Sequence, residues 1–261
     1  MRLSRFKKKY KALIVDVDGT LIPNKRDGMP SQRVTEAIAK ASKLIHIGVA
    51  TSRPYFMLSH IFDHLKLSGP SIINGGAQII DSKSQKSLWG KTIDAQDFHT
   101  VKRILKDINI SFFVRDGDKD ITDLTTYTPR KLFCIGALEL SPKTANYVID
   151  KVSHIPTIAV HKVPDWKKGK YSIIISHVYA TKQHGILEIA KILDINIHEI
   201  IAVGDGGNDM PLLMACGLKV AMGNAVGDLK AIADYIAPPV EEDGVADVIE
   251  KFVLNNSILS S

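Results

Sequence analysis

KALIVDVDGT, residues 11–20, sets four apolar side chains in a row and follows them with two aspartates one residue apart, a glycine and a threonine. An apolar run this short, closed by turn residues, reads as a strand buried on both faces, as in a parallel sheet. Successive strand side chains point to opposite faces, so Asp16 and Asp18 are expected to share a direction, with Gly19 letting the chain turn away. Two carboxylates that close repel each other unless a cation lies between them or one keeps a proton. Either state is useful, because one carboxylate can act as a nucleophile while its neighbour moves a proton.

Four more apolar runs end the same way: Ile45–Ala50 before TSRP, Ser71–Ile73 before NGG, Ile200–Val203 before GDGGND, and Leu218–Ala221 before MGNA. Helix-period stretches separate them, such as Val34, Ala37, Ile38 and Ala41, or Ile186, Ile189, Ala190 and Leu193. This alternation predicts an α/β fold, a doubly wound Rossmann-like parallel sheet whose ligands bind beyond the carboxyl ends of the strands. Each polar motif falls at such an end. From about residue 84 the pattern changes to helices at 94–108 and 141–153 among strand-like segments. It predicts an α+β cap domain, residues 84–181, inserted into a discontinuous core of residues 1–83 and 182–261.

The second aspartate cluster, Gly204-Asp205-Gly206-Gly207-Asn208-Asp209, adds two hard oxygen ligands of the kind Mg²⁺ prefers. Asp16, Asp18, Asp205 and Asp209 together would be costly without a cation, and a divalent metal resolves the problem. Asn208 is placed to cap the helix that follows. Thr51 and Ser52 offer hydroxyls and backbone N–H groups before a helix, a setting for an anion. Lys182 opens the first helix after the insert.

Charge is unevenly spread. Residues 84–181 carry 15 Lys/Arg against 10 Asp/Glu, the stretch 1–11 carries six cations and no acid, and the remainder has a balance of −5. A positive insert facing a negative core suits an anionic substrate brought to a metal. The basic start lacks an apolar signal core, no run approaches the length of a membrane span, and no aromatic–arginine stripe marks a nucleic-acid surface. The reading is therefore no nucleic acid, no membrane, and a cytoplasmic setting, with Cys134 and Cys216 as two free buried thiols. Oligomeric state is open.

DVDGT, ATSRP, Lys182 and GDGGNDMPLL, in that order, resemble the haloacid dehalogenase-like superfamily, and specifically its Cof-type phosphatases of subfamily IIB. The NGG at 74–76 and the MGNA at 222–225 are similar as well. The resemblance implies that Asp16 attacks phosphorus and that Asp18 protonates the leaving alcohol and then activates water. It also implies Mg²⁺ held by Asp16, Asp205 and the Asp18 backbone carbonyl, with Asp209 supporting its waters. Thr51, Ser52, Lys182 and Asn208 would hold phosphate oxygens. Ser52 stands where the family usually has glycine, and Gln183-His184 separates Lys182 from the next glycine. Arg115, Arg130, Lys131 and His161 are available cap cations. The expected substrate is a small phosphate monoester: a sugar phosphate, phosphoglycolate or a phosphorylated cofactor. The alternatives are a phosphomannomutase-like phosphotransferase, which would carry a different second motif, and a non-catalytic phosphate-sensing module, which would lack Asp16 or Asp18.

Overall fold

The structure is a computed structural model that describes residues 10–25, 27–165 and 167–255. The terminal basic run and the closing residues 256–261 lie largely outside the described residues. In chain order, β1 (Ala12–Val15) is followed by α1 (Gln32–Ala41), β2 (His46–Val49) and α2 (Ser59–Leu65). Ser31 starts α1 by accepting the Val34 N–H, one of the donors a helix start leaves unpaired. The chain then makes an antiparallel unit of β3 (Pro70–Ile73), β4 (Gln78–Asp81) and β5 (Ser87–Gly90).

Next come α3 (Ala95–Asp107), β6 (Phe113–Asp116), β7 (Lys119–Ile121), β8 (Leu132–Leu140), α4 (Pro142–Val152), β9 (Ile158–Pro164) and β10 (Tyr171–His177). The last stretch holds α5 (Lys182–Ile192), β11 (Ile200–Gly204), α6 (Met210–Ala215), β12 (Leu218–Ala221), α7 (Gly227–Ile232), β13 (Tyr235–Ile236) and α8 (Gly244–Ile249).

Five strands form a parallel sheet in the order β13-β12-β11-β1-β2. All residues of β1 and β11 are buried, so both faces of the sheet are covered, as the unbroken apolar runs require. Fully burying each Leu, Ile or Val here contributes about 1.5–3 kcal/mol, and cutting Leu13 or Ile14 back to alanine would cost about 2–5 kcal/mol.

The run Ser71–Ile73 is not a member of this sheet. It pairs antiparallel with β4 and meets the parallel sheet through a single bridge, Ala50 to Ile72. The fifth parallel strand is instead the two-residue β13, too short to announce itself in the sequence. β5 lies beyond the junction expected at residue 83, so this hairpin unit reaches into the stretch assigned to the insert.

The middle stretch builds its own antiparallel sheet, β7-β6-β8-β10-β9, backed by α3 and α4. Phe98, Val101 and Leu105 of α3 and Ala145, Val148 and Val152 of α4 close on Val114, Ile135, Ile173 and Ile175. That core is separate from the one around the parallel sheet. Ala77, Phe133 and Ala180 form a small third cluster where the two halves meet. No helix among the described residues is long and apolar enough to cross a membrane.

Candidate active site

The carboxyl ends of β1 and β11, with the start of α5, bring three carboxylates and one ammonium to a single point. Asp16 directly follows β1, its N–H held by the Val203 carbonyl at 2.9 Å. Lys182 is the first residue of α5, whose N-cap is Thr181. Its Nζ donates to Asp16 Oδ1 at 2.6 Å and also to Asp209 Oδ1. The lysine is 3% exposed, so the ammonium has exchanged water for these two carboxylates. A solvent-facing lysine is therefore excluded.

A close backbone approach makes room for this. Gly76 sits at φ +110°, and a Cβ there would lie 2.1 Å from the Thr181 carbonyl carbon. The NGG turn thus presses directly on the residue that starts α5.

Asp16, Asp205 and Asp209 each offer an oxygen within 4.8 Å of the others. Asp209 is locked by its second oxygen, Oδ2, which accepts the N–H groups of Asp205 (3.1 Å) and Gly206 (2.9 Å). Asp205 accepts from the Thr20 hydroxyl at 2.8 Å, and Gly19 sits at φ +79° where a Cβ would meet the Asp205 Oδ2 at 2.4 Å, so any other residue there would be strained and would push this carboxylate aside. Asn224 of MGNA ties in by donating to the Gly19 carbonyl at 2.8 Å.

Burial, and then repulsion from Asp209, lifts Asp16 well above the usual carboxylate range, against the pull of Lys182. Burial likewise lifts Asp205 to about 6; the Thr20 bond works against this and Asp209 adds to it. For Lys182 burial opposes the charge, but Asp16 and Asp209 outweigh it and hold the ammonium above the ordinary lysine value. Three carboxylates against one cation is the donor set and the charge deficit that a hard divalent ion fits.

Asp18 departs from expectation. β1 ends at Val15, and the chain then coils so that Leu21 and Ile22 both donate to the Val17 carbonyl. Strand alternation no longer applies, and Asp18 does not join the cluster. Both its oxygens are taken by Arg53, with Nε to Oδ2 at 2.8 Å and Nη2 to Oδ1. Among the described residues three carboxylates converge, where four were expected.

Arg53 is a site residue that the motif pattern alone does not single out. It belongs to ATSRP, but nothing in one dimension pairs its cation with an aspartate 35 residues earlier. Thr51 is buried at the end of the β2 segment, its N–H given to the Ile72 carbonyl and its hydroxyl accepting the Arg53 N–H. Two of the N–H groups expected to face an anion are therefore consumed, and a 3₁₀ turn, Tyr55–Met57, precedes α2. Ser52 is half-buried beside Gly75. Asn208 is exposed, with Oδ1 over Gly206, and it does not cap α6; the Asp209 carboxylate binds the loop N–H groups instead.

A model of the haloacid dehalogenase-like hydrolase family matches residues 13–131 and 118–249 of this chain. The chain belongs to that family. Within it the chain is a Cof-type phosphatase, an enzyme with the α/β core described above. It is 30% identical over 254 residues to a phosphoglycolate phosphatase of Methanobrevibacter smithii, covering 93% of this chain and 98% of that one. It is 26% identical to the 5-amino-6-(5-phospho-D-ribitylamino)uracil phosphatase YitU of Bacillus subtilis, covering 92% of this chain and 96% of the other. The solved structure of the subclass IIB sugar phosphatase BT4131 superimposes with a TM-score of 0.74 at 22% identity, over 93% of this chain and 98% of that chain.

Proposed function

We propose that this enzyme hydrolyses a small phosphate monoester through a phosphorylated Asp16. The observation that carries this reading is the buried Lys182 ammonium bridging Asp16 and Asp209, which fixes the Asp16 carboxylate at the mouth of the strand ends. An Asp16 oxygen bonds to phosphorus as the ester P–O bond breaks, and the departing oxygen takes a proton from Asp18. Water then gives a proton to Asp18 and bonds to phosphorus as the Asp16–phosphorus link breaks, releasing inorganic phosphate. Asp18 must leave Arg53 for part of this cycle.

Mg²⁺ suits the cluster: Asp16, Asp205 and Asp209, with the Asp18 carbonyl that the family implies, would hold it, and it would neutralise charge on the phosphoryl group. Lys182, the Thr51 and Ser52 hydroxyls and Asn208 are the groups we assign to phosphate oxygens; each supplies a donor.

The middle sheet with α3 and α4 acts in this reading as a cap over the strand ends. Names of relatives acting on phosphoglycolate, a ribitylaminouracil phosphate and a sugar phosphate support the small-ester class. Buried free thiols at Cys134 and Cys216 support a reducing, cytoplasmic setting. The test is chemical trapping. Acid-quenched enzyme mixed with labelled phosphate ester should carry label on Asp16, and Asp16→Asn should carry none; label elsewhere, or turnover by Asp16→Asn, refutes the mechanism.

A further inference from the structure

We propose that Arg115, on the inserted sheet, is a positioning residue that couples the place of that sheet to Asp18, and that it does not read the substrate. This rests on the acid–base role of Asp18 proposed above. Arg115 is 5% exposed, and its guanidinium is already engaged. Asp120, directly opposite on β7, takes Nε at 2.6 Å and Nη2 at 2.8 Å, and the rings of Phe113 and Phe56 lie 5.3 and 5.8 Å from the guanidinium carbon. A cation paired edge-on with a carboxylate and flanked by rings has little charge left to draw an anionic ester.

Among the described residues it makes one further hydrogen bond, which crosses to the core. Nη1 donates to Asn74 Oδ1 at 3.3 Å, spanning 41 residues. Asn74 is held at φ +53°, a left-handed backbone region that asparagine tolerates better than most side chains and that glycine adopts freely. Both ends of its amide are used, since Nδ2 donates to Gln78 Oε1 at 3.1 Å. Its backbone N–H binds the Arg53 carbonyl at 3.0 Å.

Arg53 in turn grips both Asp18 oxygens, the Lys25 carbonyl and, at 3.5 Å, the Met57 carbonyl. A second route converges there. Phe56, whose ring faces Arg115, is the neighbour of Met57 and is 47% exposed in spite of its size. Moving β6 therefore displaces Asn74 and Phe56 together, and each bears on the arginine that carries Asp18.

Leaving-group chemistry separates this role from its rivals. An alkyl alcohol needs a proton to depart, whereas a nitrophenolate does not, so misplacing the acid penalises alkyl esters only. The kcat/KM values of Arg115→Lys, Asn74→Gly and Asp18→Asn would be compared on an alkyl phosphate and on a nitrophenyl phosphate. Asn74→Gly removes the link without backbone strain and without touching the Arg115–Asp120 pair, so it answers even if Arg115→Lys misfolds. Both positioning variants should lose about tenfold on the alkyl ester and less than about twofold on the aryl ester, part of the roughly 10²–10⁴ that general acid catalysis supplies. Equal losses on both esters, losses that follow ester shape, or no loss would overturn the coupling. If Asp18→Asn shows the leaving-group signature and the other two do not, the coupling alone is wrong. If Asp18→Asn lacks it, the acid role of Asp18 fails and the coupling falls with it.

Discussion

Replacing Lys182 by methionine keeps an unbranched side chain, one atom shorter, and deletes its charge. In the structure that charge makes two ion pairs inside the fold, to Asp16 and Asp209, at 3% exposure. Removing one partner of a buried ion pair costs about 3–5 kcal/mol, because the other partner is left desolvated and uncompensated. Two lost charge-assisted hydrogen bonds, at about 1.5–3 kcal/mol each, give a similar figure. Asp209 keeps its two backbone N–H bonds and Asp16 can retain a proton, so the lower end, about 3 kcal/mol, is expected. At roughly 2–4 °C per kcal/mol for a chain of this size, the melting midpoint should fall by about 6–12 °C.

The assay is urea unfolding of wild type and Lys182→Met, first in chelator and then with Mg²⁺. The divalent ion should restore much of the lost stability, because it takes over the charge compensation, but not the activity. In Mg²⁺, kcat should remain at least tenfold down, equivalent to roughly 1.4 kcal/mol of barrier, for want of the bond to a phosphoryl oxygen. A stability change under about 1 kcal/mol in chelator would refute the claim that this ammonium neutralises buried carboxylates.

Excess chelator should abolish hydrolysis of an aryl phosphate and Mg²⁺ should restore it; full activity in chelator contradicts a metal at Asp16, Asp205 and Asp209. Gly76→Ala puts a Cβ 2.1 Å from the Thr181 carbonyl carbon at φ +110°, so it should destabilise by more than about 2 kcal/mol and lower kcat by displacing Lys182; wild-type behaviour would mean the turn can yield freely. His46 is held below its ordinary 6.5 by burial, against the Pro70 carbonyl bond and Asp81, so the unfolded chain takes up its proton first as pH falls. The stabilisation from neutral His46 is complete above about pH 6.5 and is lost below it, and His46→Gln should flatten the fall in unfolding free energy between about pH 7 and 5.5; an unchanged slope counts against the burial argument.

Much of the parallel sheet is legible in the sequence because burial on both faces writes an unbroken apolar run, as in Ala12–Val15 and Ile200–Val203. The same signal cannot say which neighbour a strand takes, which is why Ser71–Ile73 reads like the others yet pairs antiparallel with β4. Lys182, Asp205 and Asp209 are legible from motif order at strand ends. Asp18 is misdirected for a local reason. The alternation rule assumes a strand that continues through both aspartates, and this one stops at Val15, before either of them, with the Val17 carbonyl gathering the turn that follows. Arg53 stays hidden because an ion pair between residues 18 and 53 exists only after the β1–β2 register has been made.

Two unconnected apolar interiors also bear on how such an enzyme changes over time. A substitution that loosens the packing of Phe98, Val148 or Ile173 strains one interior and leaves the packing around Ile14 and Val203 untouched. Distant sites without shared partners add their effects independently. Destabilising changes in the inserted half then need no compensating repacking in the core, and the surface proposed to cover the strand ends is free to drift while the residues proposed to handle phosphorus stay fixed.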